Sequence, residues 1–159
     1  MSKRGILDQV ALTLSHIFSA PPYSLYLYIY LVTIKKVLTL ATLLLGILFL
    51  LILPTFMIIL DWRKGYTDFF VSNVEDRPKY LVATSLSYFG GFAISRILLN
   101  SLIAMYFLSY GVNTLLLMLL SLMRYKVSIH TAGIAGPTFL VCTLGLTHSL
   151  LYIILIPIA

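Results

Sequence analysis

From Val37 to Leu60 the chain reads VLTLATLLLGILFLLILPTFMIIL, without a single charged side chain. A hydrocarbon core about 30 Å thick needs about 20 consecutive apolar residues in a helix. This run supplies them, and Asp61-Trp62-Arg63-Lys64 closes it with the charged and aromatic groups that suit a membrane boundary. The rest of the chain agrees with this stretch. Of 159 residues, 60% are hydrophobic and 10% charged, with a mean hydropathy of +1.02 and a formal net charge of +6. Soluble domains have about 25% charged residues. So few charges cannot cover a globule, which excludes a disordered chain, a basic nucleic-acid module and an ordinary soluble enzyme. The lone Cys142 excludes an internal disulfide and a cysteine-rich metal site, and no cofactor is expected.

Working outward from this run, the expected fold is an all-α, polytopic transmembrane bundle forming one domain over residues 1–159. Residues 1–20 read as an interfacial amphipathic helix, with Ile6, Val10, Leu14 and Ile17 on one face. Pro21-Pro22 breaks the pattern, and a first span runs from Tyr23 to Ile34, ended by Lys35 and Lys36. Tyr23, Tyr26, Tyr28 and Tyr30 suggest an aromatic belt. The uncharged run is the second span. A third runs from Tyr80 to Ile94, with Gly90-Gly91 allowing close helix approach or a kink. Arg96 and Asn100 mark a turn, and the fourth span covers Ser101 to Met123. Gly136-Pro137 starts or bends a fifth, and residues 147–159 form a partial sixth.

Five spans put two polar loops, 61–79 and 124–130, on one face. That face carries Lys3, Arg4, Arg63, Lys64, Arg77, Lys79, Arg124 and Lys126, against Lys35, Lys36 and Arg96 on the other. Short loops rich in Lys and Arg stay cytoplasmic, so the N-terminus and both loops are expected there. The same loops hold the groups best suited to chemistry. Guanidinium and ammonium groups at Arg77, Lys126, Lys79 and Lys64 complement phosphate, arginine through a bidentate fork. Ser128 offers a hydroxyl, and His130 can transfer a proton near neutral pH. Basic residues at span ends also serve as topology anchors. His16 and His148 read as interfacial or packing residues.

Two blocks carry a resemblance. The first is Lys64-Gly65 with Asp68, leading to Asp76-Arg77-Pro78. The second is Lys126-Val127-Ser128-Ile129-His130, followed by Ala132-Gly133-Ile134-Ala135-Gly136. Their order and spacing, over residues 10–159, resemble the type 2 phosphatidic acid phosphatase superfamily, membrane enzymes that hydrolyse lipid phosphates. The resemblance implies phosphate binding by Arg77, a hydroxyl contact from Ser128 and a general acid at His130. Three departures qualify it. Phe70 stands where the family has a lysine, and the second block lacks the usual Pro-Ser-Gly-His. No third block with the nucleophilic histidine follows, because His148 lacks a flanking arginine. The expectation is therefore a phosphatase-like protein that binds a phosphorylated isoprenoid or glycerolipid, inactive unless the chain is a fragment of a longer enzyme. The competing expectation is a non-catalytic subunit packed against other membrane subunits. Neither involves nucleic acid.

Overall fold

The computed structural model describes Gly5 and residues 19–98, 100–125 and 127–143. The interfacial helix expected before Pro21 and the expected partial sixth span lie outside the described residues. Five helices are described: α1 (Ala20–Ile34), α2 (Leu40–Arg63), α3 (Arg77–Leu98), α4 (Ser101–Leu122) and α5 (Ile129–Thr143). Three of them, α2, α3 and α4, are long and apolar enough to cross a membrane. Among the described residues this corrects the expected five spans to three. At 1.5 Å per residue, the 15 residues of α1 reach about 22 Å, short of a full hydrocarbon core; α5 is described as far as Thr143. Apolar composition alone could not separate α1 from a true span.

Local chemistry sets the helix ends. Pro21 and Pro22 occupy the first turn of α1, where a missing N–H costs nothing and the fixed φ helps. Thr39 and Thr42 cap α2 reciprocally: the Thr42 N–H donates to Thr39 Oγ1 at 3.2 Å and the Thr39 N–H to Thr42 Oγ1 at 2.8 Å. Asn100 caps α4 by accepting from the Leu102 N–H at 2.7 Å. Arg96, expected in a turn, lies in the last turn of α3 and donates across to Ser101 Oγ at 2.8 Å. At the C-terminal end of α2, Gly65 adopts φ +76°. Its N–H reaches the Trp62 carbonyl and that of Tyr66 the Asp61 carbonyl, both at 3.0 Å.

Within α2 the sequence forces an irregularity. Residues Ile47–Ile52 form a π-helical turn in which the Leu53 N–H bonds to the Leu48 carbonyl. The next residue, Pro54, has no N–H to offer to Phe49. In a membrane such a carbonyl must find another donor. Ser87 of α3 supplies it, donating to the Phe49 carbonyl at 2.8 Å. Thr55 Oγ1 takes the Leu51 carbonyl at 2.6 Å.

The core lies around α1, whose Leu27, Tyr28, Leu31 and Val32 are fully buried. The tyrosines expected to form a belt divide. Tyr26 is exposed, whereas Tyr23 and Tyr28 are core residues. Tyr28 donates to the Thr42 carbonyl at 2.9 Å, and Tyr23 pairs with Thr138 of α5 at 3.0 Å. Tyr106 of α4 donates to the Ser24 carbonyl at 2.6 Å. These hydroxyls tie three helices to α1, and their aromatic bodies fill the space between. The helices α3 and α4 form an antiparallel hairpin in which Gly91 lets the Phe107 ring sit against the α3 backbone. No kink is needed for that approach.

A cavity at the junction of the two polar loops

The first polar loop spans residues 64–76, between the end of α2 and the start of α3. Asp68 organises it. Its carboxylate accepts from the Phe70 N–H (3.1 Å), the Ser72 N–H (2.8 Å) and the Ser72 hydroxyl (2.9 Å). Burial alone would raise its pKa, but these hydrogen bonds outweigh it and hold the carboxyl below its ordinary value. The turn so fixed holds Val71 at φ +49°, a region that a β-branched residue rarely enters. The Val71 N–H bonds to the Asp68 carbonyl at 3.0 Å.

That strained turn presents two carbonyls to Arg77, the first residue of α3. Arg77 Nε donates to the Val71 carbonyl at 3.0 Å and Nη2 to the Ser72 carbonyl at 3.3 Å. Nη1 donates to the Val127 carbonyl of the second loop at 2.8 Å. The guanidinium thus joins the two loops. Arg77 is buried, and no carboxylate pairs with it among the described residues. A guanidinium has five N–H donors. One therefore remains on each terminal nitrogen, beyond the three bonds described.

The other predicted site residues are placed differently. Lys79 pairs with the Asp61 carboxylate, which also accepts from the Tyr80 hydroxyl at 2.9 Å. That cluster ties the end of α2 to the start of α3. Lys64 is exposed at the C-terminal cap of α2. Ser128 caps α5, its hydroxyl accepting from the Thr131 N–H at 3.3 Å. His130 belongs to the first turn of α5 rather than to the loop, because that cap starts the helix at Ile129. Its side chain, like Lys126, lies outside the described residues. Gly136-Pro137 likewise falls inside α5 and does not begin it. Among the described residues no group of His, Cys, Asp and Glu could hold a metal ion.

Beside Arg77 opens a cavity of about 540 Å³, in the size range of ligand-binding clefts. Pro21 and Pro22 of α1 line one side, and Leu51, Pro54 and Phe56 of α2 another. Phe69, Phe70 and Val71 of the first loop border its polar end. From α3 come Tyr80, Leu81, Thr84 and Tyr88, and from α4 Tyr110, Asn113, Thr114 and Leu117. Asn113 is held by donating to the Ala132 carbonyl at 3.0 Å. Sequence reading missed this cavity. The one signal available was the helical spacing of polar residues at 77, 80, 84 and 88, which repeats every three or four positions along α3.

Comparison of the chain with protein-family models, with curated proteins and with solved structures finds no match.

Proposed function

We propose that this protein binds a phosphorylated lipid within the membrane, its hydrocarbon chain in the cavity and its headgroup at Arg77. One observation carries the reading. A buried guanidinium without a carboxylate partner among the described residues stands in the wall of a largely apolar cavity, with two N–H donors to spare. A buried charge without a counter-ion is costly. Three carbonyls offset part of that cost, and an anionic headgroup would offset more. The apolar walls suit a hydrocarbon chain. The described basic residues at the loop end of the bundle are Arg63, Lys64, Arg77, Lys79 and Arg124, against Lys35, Lys36 and Arg96 at the other. This excess supports a cytoplasmic position for the loops.

A matched pair of probes tests the proposal in lipid nanodiscs: octadecyl phosphate and octadecanol, which share a chain and differ in charge. The expected result is tighter binding of the phosphate by about tenfold or more, the worth of one net charge-assisted hydrogen bond. Arg77→Gln removes that preference. Equal affinity for the two probes in the parent protein would contradict the headgroup assignment. The phosphatase-like part of the proposal gives Ser128 a hydroxyl contact and His130 the general-acid role. Release of inorganic phosphate from the bound probe measures it, and release by His130→Ala at the parent rate would remove His130 from that role.

A further inference from the structure

The cavity has a second polar region that a simple alkyl phosphate would leave unused. Thr84 and Tyr88 lie one turn apart on α3, and Tyr110 and Thr114 one turn apart on α4. The Tyr88 and Tyr110 rings pack edge to face with centroids 5.4 Å apart, so the two pairs form one continuous wall. Tyr110 is 2% exposed and its hydroxyl is enclosed by protein beside Tyr106, so its oxygen does not open to the cavity. Tyr106, its ring neighbour at 5.1 Å, donates its own proton to the Ser24 carbonyl. The hydroxyls of Thr84, Tyr88 and Thr114 make no hydrogen bond among the described residues. Three hydroxyl-bearing residues that line one largely apolar cavity, with no hydrogen bond to the described residues, leave their oxygens available to a ligand.

Their depth defines what would use them. Thr84 lies seven residues beyond Arg77 along α3 and Tyr88 eleven. At 1.5 Å per residue, the wall begins about 10 Å from the arginine and ends about 16 Å from it. We infer that the wall of Thr84, Tyr88 and Thr114 is a recognition site for an oxygen function on the ligand's chain. The ligand class is an anionic amphiphile with a hydroxyl, ether or carbonyl group roughly midway along a long hydrocarbon chain. This inference rests on the proposed binding of the anionic end at Arg77, and it adds a second requirement that an unsubstituted chain does not meet.

The test compares 12-hydroxyoctadecyl phosphate with octadecyl phosphate, identical except for the mid-chain hydroxyl. Binding to the parent protein, to Tyr88→Phe, to Thr114→Val and to Arg77→Gln is measured in nanodiscs, with thermal unfolding recorded for each. The hydroxylated probe is expected to bind about tenfold more tightly to the parent, as one or two net hydrogen bonds would give. Tyr88→Phe or Thr114→Val should reduce that preference, read as the ratio of the two probes' affinities for the same variant. Arg77→Gln should weaken both probes together. Equal binding of both phosphates by the parent overturns the inference while leaving the headgroup reading intact, and would mean that water occupies the wall. Binding of neither probe overturns both. The parent's preference decides the question even if a variant fails to fold.

Discussion

At the residue scale, Asp68 and Arg77 form one relay. Asp68 fixes the turn, the turn aims the Val71 and Ser72 carbonyls, and Arg77 binds both while reaching across to Val127. The linkage has a definite sign. Because the folded Asp68 carboxyl titrates below its ordinary value of 3.8, its contribution is complete above that value. It is lost as the pH falls through the lower folded value. The loop should therefore loosen only in acid, and Asp68→Asn should show the loosened loop at neutral pH. Trp62, stacked edge-on to Phe69 at 5.9 Å, is the only tryptophan and reports it by fluorescence. A neutral-pH spectrum of Asp68→Asn matching the parent would contradict the relay. Arg77 stood out in the sequence because Asp-Arg-Pro at the head of an apolar helix is conspicuous. The roles of Lys79 and Ser128 did not, since an ion pair and a helix cap depend on partners that spacing alone leaves undefined. The burial of Tyr23 and Tyr28 was misread for the same reason. A tyrosine near a membrane boundary suits a belt or a core equally well until its hydroxyl finds Thr138 or the Thr42 carbonyl.

At the scale of single elements, α2 shows how a proline is tolerated within a span. Pro54 withholds the donor for the Phe49 carbonyl, and Ser87 replaces it from the neighbouring helix. Ser87→Ala should destabilise the protein by about 1 kcal/mol, the scale of hydrogen bonds within membranes. Pro54→Ala, by restoring an N–H, should relieve most of the Ser87→Ala loss, and additive effects in a double-mutant cycle would contradict the coupling. The helix ends carry a second prediction. Lys36 and Arg124 occupy left-handed positions, at φ +55° and +61°, that favour glycine, as Gly65 does at +76°. Lys36→Gly should stabilise by about 1 kcal/mol, and Gly65→Ala should destabilise by about as much. A Cβ at Gly65 would meet nothing within 4 Å, so backbone conformation alone sets that cost. Unfolding in detergent measures both. The uncharged run made α2 plain in the sequence, whereas the π-helical turn depends on Ser87, whose register against Phe49 is a tertiary fact.

At the scale of the molecule, three helices are long and apolar enough to cross a membrane, and a cavity opens beside α1 where the two polar loops meet. Hydropathy identified the membrane class and all three spans. It overcounted at α1, because a buried helix in a small bundle is as apolar as one that faces lipid. The cavity was not legible, since it arises from the packing of five helices and not from any one of them. Its role as a lipid site is the central claim, and photolabelling tests it most directly. An octadecyl phosphate bearing a diazirine along its chain, irradiated with the protein in nanodiscs, marks whatever the chain touches. The account predicts adducts on cavity residues such as Leu51, Phe70 and Leu117, lost on competition with unlabelled octadecyl phosphate and retained on competition with octadecanol. Adducts confined to exposed outer residues such as Leu44, Leu86 and Leu116, with no loss on competition, would contradict it.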